Sequence, residues 1–101
     1  MKPVRFSDPA ADELASAVRW YEQRRVGLGA ELFDAVAATI ELIRSHPEIG
    51  AERRGRRPSR QFNVHRFPYR VVYRIRDEDI YVVAIAHASR RPGYWRNRAD
   101  A

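Results

Sequence analysis

The longest uninterrupted apolar run in this chain, Ile80 to Ala86, sets the tightest limit on its fold. It is far too short to cross a bilayer, which takes about 20 residues. A strand with no polar alternation reads instead as a central strand covered on both faces. The rest of the chain must therefore supply a sheet around it and cover above and below. Hydrophobic period supports this, because it changes once along the chain. Up to Ser45 the apolar residues recur at helical spacing, and from Phe62 onward they recur at every second position.

Val4 and Phe6 flank Arg5 and suggest a short opening strand. Ser7-Asp8-Pro9 then signals a helix start, with Asp8 able to cap free amides and Pro9 suited to the first turn. Asp12 and Glu13 complement the positive end of the helix dipole. Ala10, Leu14, Ala17, Val18 and Tyr21 predict a helix over about Pro9 to Arg25. Val26-Gly27-Leu28-Gly29 breaks it. Leu32, Phe33, Val36, Ile40 and Ile43 predict a second helix ending near Ser45-His46-Pro47. Two helices with so short a joint form an antiparallel hairpin.

Residues 48–59 show no period and read as a basic loop with room for an irregular strand. Phe62 and Val64 begin the alternation. Pro68 marks a turn or strand start. Tyr69, Val71, Tyr73 and Ile75 continue the alternation, and Asp77-Glu78-Asp79 supplies a polar hairpin turn. The expectation is an α+β domain, residues 1–101, with an N-terminal strand and a helical hairpin packed on an antiparallel sheet that ends in a three-stranded meander. The tail from Ser89 to Arg98 reads as a turn and a short helix.

Length and composition narrow the function. At 101 residues there is room for one core, and 45% hydrophobic with 32% charged residues is a globular balance. Cysteine is absent, which excludes disulfides, thiolate–zinc sites and a thiol nucleophile. His46, His65 and His87 have no metal-ligand spacing, and Gly27-Leu28-Gly29 is not a phosphate-binding loop. No serine lies in a nucleophile-elbow motif. Neither a cofactor nor a metal is expected. No apolar stretch follows the first basic residues, so a signal peptide is not expected, and the predicted location is cytoplasmic, away from membranes.

Charge is divided sharply. Residues 1–50 hold six Lys/Arg against eight Asp/Glu, while residues 51–101 hold thirteen against five, for a net charge of +6. Eighteen of the nineteen cations are arginine. Its planar fork suits phosphate and carboxylate recognition, although codon bias also enriches it. A face for an anionic partner, nucleic acid or acidic protein, is expected around Arg53, Arg54, Arg56, Arg57, Arg60, Arg74 and Arg76. At the end of the apolar strand, His87 with nearby arginines and Tyr94 has the residue types for acid–base phosphodiester chemistry. The competing structural reading is that His87 caps the strand while Tyr94 and Trp95 pin the tail. Trp20 and Tyr21 read more readily as packing than as a base-stacking platform.

Taken together, Phe6-Ser7-Asp8-Pro9-Ala10 with Glu13-Leu14, Trp20-Tyr21-Glu22, Gly27-Leu28-Gly29 with Phe33, Phe67-Pro68-Tyr69-Arg70-Val71-Val72-Tyr73 and Ala86-His87-Ala88-Ser89-Arg90-Arg91-Pro92-Gly93-Tyr94-Trp95 form an ordered set. In these features the chain resembles the RelE/ParE superfamily of type II toxin–antitoxin toxins, and the resemblance implies a RelE-like α+β fold. In the RelE-type branch, ribosome-dependent mRNA endonucleases, the matching catalytic positions are Arg70, Arg90 and Tyr94, with His87 or His65 as a possible replacement for lost groups. That branch's two sheet lysines fall here at Gln61 and Asn63, and its acidic-role arginine falls near Ala88. The Trp-Tyr-Glu element, the Gly-Leu-Gly joint and the Phe-Pro-Tyr turn look more like the ParE-type branch, which poisons DNA gyrase without catalysis. The resemblance therefore implies a ParE-like toxin with DNA gyrase as target and a cognate acidic antitoxin as partner. A RelE-like nuclease acting on ribosome-bound mRNA is the alternative.

Overall fold

A computed structural model describes residues 1–98. Strand β1 (Val4–Phe6) leads into helix α1 (Asp8–Arg24) and then helix α2 (Leu28–Ser45). A 3-10 turn at Pro47–Ile49 precedes β2 (Ala51–Arg53), β3 (Ser59–Asn63), β4 (Tyr69–Ile75) and β5 (Ile80–His87), and a final 3-10 turn spans Tyr94–Asn97. The five strands form one sheet in the order β1-β5-β4-β3-β2.

The expected α+β architecture is present, with two differences. The first is that the sheet is mixed, because β1 lies parallel to β5 with Val4 opposite Ile80. The second is that the irregular strand for which the aperiodic stretch after α2 had room is a regular member of the sheet, β2, paired antiparallel with β3 through Ala51–Gln61 and Arg53–Ser59. β5 is thereby an interior strand, between β1 and β4.

Ser7, not Asp8, is the N-cap of α1: its hydroxyl accepts the Ala10 amide at 3.1 Å. The short hydroxyl reaches the first turn from extended backbone, so Asp8 is left exposed one position into the helix. The joint to α2 is built differently. Gly27 caps α2 at φ 89°, a left-handed conformation that glycine adopts without penalty, and it has no side chain with which to cap. Glu22 supplies the missing acceptor, taking the Gly27 amide at 3.0 Å and the Gly29 amide at 3.0 Å. A Cβ on Gly29 would lie 2.7 Å from the Val18 carbonyl, so this residue sets how closely the helices approach.

One face of the sheet packs on the helices, where Leu32, Val36 and Ile43 meet Val71, Tyr73, Ile80, Val82 and Ile85. Fully burying an aliphatic side chain of this size is worth about 1.5–3 kcal/mol. Phe33, expected within the α2 stripe, is 53% exposed, because the buried line runs Leu32-Val36-Thr39-Ile43. Opposite the helices, Val72, Tyr81, Val83, Ala84 and Ala86 form a second cluster closed by Trp95. The chain's own tail therefore covers the second face of β5.

Candidate functional site

Backbone bookkeeping along β5 explains how the tail is held. β1 pairs only with Ile80–Val82, so beyond Val82 the same edge of β5 would carry open polar groups. Side chains close it. The Ser7 hydroxyl donates to the Val83 carbonyl at 3.1 Å, and Arg98 Nη1 donates to the same oxygen at 2.8 Å. Glu13 Oε1 accepts the Ile85 amide at 3.0 Å. The same carboxylate accepts the Tyr94 hydroxyl at 2.5 Å and both terminal nitrogens of Arg98 at 2.9 and 3.2 Å. Burial, and then the Glu13 carboxylate to which it donates, push the Tyr94 phenol up to about 12.

His87, Arg90 and Tyr94 line a common cleft with Trp20, Tyr21 and Tyr69. Arg70 does not join them. His87 pairs with Tyr69 and Arg70 with Ala86, so strand alternation sends Arg70 to the opposite face, where it donates to Gln61 Oε1 at 3.1 Å. His87 Nδ1 accepts the Ser89 amide at 3.0 Å, and Arg90 stacks on the Tyr94 ring at 3.9 Å. Each of these three side chains thus has a local packing or capping contact. Trp20 is 49% exposed and lies beneath the Arg24 guanidinium at 3.7 Å. A phenol with a pKa near 12, already donating to a carboxylate, is a poor proton carrier at neutral pH.

The seven arginines expected to form the anionic-partner face divide into two groups. Arg60 turns to the helix side, donates to the Glu48 and Gly50 carbonyls at 3.1 and 2.9 Å, and pairs with Glu52. Arg76 makes two bonds to Asp79, at 2.6 and 2.7 Å, and lies over the Tyr81 ring. Arg74 is half-buried beside Glu52 and Ser59. Arg53, Arg54, Arg56 and Arg57 instead line one cleft of about 260 Å³, which the tail residues Arg96 and Arg98 also enter. Sequence periodicity carries no signal for those last two, because only the folded-back tail brings them there.

Among the described residues, no group of three or more His, Asp or Glu side chains is placed to hold a metal ion. No described helix is long and apolar enough to cross a membrane. A family model described as the ParE toxin of the type II toxin–antitoxin system, parDE, matches residues 4–92. The chain belongs to the ParE toxin family. Among solved structures it is similar to a chain of a chromosomal ParDE toxin–antitoxin system from P. aeruginosa, with a TM-score of 0.74 at 16% identity. That likeness covers 88% of this chain and 98% of the other, and at this identity it bears on the fold. No curated protein matches. As a ParE-type toxin of a toxin–antitoxin system, the chain has the α+β fold that the superfamily resemblance implied, with two helices on a five-stranded sheet.

Proposed function

We propose that this ParE-family chain acts in the cytoplasm as a non-catalytic poison of DNA gyrase and is neutralised by an acidic antitoxin. The observation that carries the reading is the disposition of Tyr94 and Arg70. The phenol is tied to Glu13, and the arginine sits on the far face of the sheet, so the groups a nuclease would gather around one phosphate are dispersed. The family match supports the toxin class. The deciding experiment adds purified protein to gyrase, ATP and relaxed plasmid. Supercoiling should fall and gyrase-dependent DNA breaks should accumulate; if both are unaltered, the reading is wrong.

One observation favours a ribosome-dependent nuclease as the second reading: His87, Arg90 and Tyr94 do line one cleft. Under that reading, Tyr94→Phe and His87→Ala abolish mRNA cleavage in a translating extract. Under ours, both variants leave translation in the extract untouched.

For the antitoxin, we place the main contact on the helical hairpin. Leu14, Ala15 and Val18 of α1 and Phe33, Val36 and Ile40 of α2 line an apolar groove, and Phe33 stands half-exposed in it. An amphipathic acidic segment fits this arrangement, with its apolar side in the groove and its charge drawn by the arginine-rich half. Phe33→Ser should weaken antitoxin binding by about 2 kcal/mol, roughly thirtyfold, with little change in toxin stability. Calorimetric titration with the cognate antitoxin checks both the affinity and the fold.

A further inference from the structure

We propose that the arginine cleft between the β2–β3 hairpin and the C-terminal tail binds the phosphodiester backbone of duplex nucleic acid. The cleft is lined by Arg53, Arg54, Arg56, Arg57, Arg96 and Arg98, and among the described residues no carboxylate lines it. Arg98 is already engaged by Glu13, and Arg53, Arg54, Arg56 and Arg96 stand around the opening. Glu52, which precedes Arg53 in the chain, points to the other face and is engaged there by Arg60.

Two of these cations are held near each other by the fold itself. A Cβ built on Gly93 would meet Arg53 Nη2 and Arg96 Nε, each at 2.8 Å, so both guanidinium groups approach the same backbone position. Gly93, at φ 79°, makes that approach possible. Like charges so placed repel each other until an anion lies between them. The forked N–H groups of arginine match phosphate oxygens in pairs.

The character of the walls selects among anions. Val83 and Trp95 are the large apolar side chains lining the cleft, and both are buried, Trp95 to 4% exposure. Among the described residues lining the cleft, no aromatic face is open for stacking on unpaired bases, which single strands require. Nor is there an apolar anchor point for an acidic peptide, since the exposed apolar groove lies on the helical side. What remains is dense positive charge addressed to a backbone, which favours a duplex, carrying a phosphate charge every ~1.7 Å of axis, and gives no sequence preference.

This site is argued independently of the gyrase reading, and the two are separable in the test. Fluorescence anisotropy of the full-length chain would be measured against a labelled mixed-sequence DNA duplex of about 20 base pairs. A matching single strand and poly-glutamate of equal charge serve as competitors. We expect duplex binding at about 50 mM salt that weakens about 100-fold by about 200 mM, as roughly four neutralised phosphates require. Arg54→Gln with Arg56→Gln should weaken duplex binding at least about tenfold and lower the salt slope by about 2, while Arg19→Gln on α1 changes neither. A duplex with methylphosphonate linkages should lose binding to the unaltered chain, a readout independent of any variant's folding. The proposal is overturned if the duplex does not bind at low salt, if the double variant binds it unchanged, or if the neutral-backbone duplex binds as well. It is equally overturned if the single strand or poly-glutamate displaces the duplex at lower charge concentration. None of these failures touches gyrase inhibition, which is read from supercoiling.

Discussion

The arginines of the structural hubs and those of the β2–β3 cleft are chemically the same residue put to opposite uses. Arg60, Arg76 and Arg98 each end on a carboxylate, on backbone carbonyls or on both. Arg53, Arg54 and Arg56 gather in a cleft where, among the described residues, no lining residue is acidic. The first set uses arginine's rigid fork to close gaps in the fold. In the second, charge accumulates at the surface, where it contributes little to folding and much to an external field. Composition merges the two sets into one basic half, and only partner geometry separates them.

The sharpest way to break this division is at Glu13. Replacing it with alanine removes the acceptor for the Ile85 amide, the Tyr94 hydroxyl and Arg98 at once. Arg98, whose side chain is 22% exposed, is left half-buried without its counter-charge. Glu13→Ala should therefore destabilise the fold by about 3 kcal/mol in urea titration. Glu13→Gln, which keeps one acceptor oxygen for the Ile85 amide, should cost clearly less. If both variants unfold at the wild-type midpoint, the tail is held by Trp95 alone and Arg98 belongs with the cleft arginines.

Glu13 also shows where sequence reading stops. Its helical position is a local property, and it is present in α1. That it completes the edge of a strand 72 positions away follows from β1 ending at Phe6, and no spacing rule contains that. The same boundary recurs elsewhere. The helical hairpin and the strands β3, β4 and β5 were legible because their apolar periods are local and long. β2 is three residues of arginine-rich chain with no period, so its strand character comes from pairing with β3. The parallel docking of β1 on β5 depends on the whole intervening chain. Among the candidate site residues, His87 and Tyr94 line one cleft, while the separation of Arg70 from them depends on the register of β4 on β5.

A second test concerns Asp79, the buried partner of Arg76. The Arg76 guanidinium, helped by Arg5 and Lys2, holds its carboxyl below the usual value of 3.8. A carboxyl whose pKa is lowered on folding adds stability that is full above its unfolded pKa and is lost as pH falls through the folded value. The contribution is therefore intact at neutral pH and disappears below about pH 4. Asp79→Asn should lower stability at pH 7 and flatten its decline below about pH 4. Chemical unfolding at a series of pH values checks this. An unchanged acid limb would mean that Arg76 is as free of structural duty as the cleft set.

The smallest effect belongs to the cleft, and its smallness is the point. Arg54 and Arg56 are exposed on the β2–β3 connection. Replacing both with glutamine removes charge but, among the described residues, no carboxylate pairing, because no described acid lines their cleft. The expected change in stability is within about 0.5 kcal/mol at ordinary salt. At low salt it should tilt toward stabilisation, because repulsion among clustered guanidinium groups is then least screened. Thermal unfolding of the double variant at low and high salt measures that tilt. A loss of about 1 kcal/mol or more would place Arg54 and Arg56 with Arg60 and Arg98 as supports of the fold. A neutral or slightly favourable result leaves their concentrated charge without a folding role, and so directs the explanation to a bound anion.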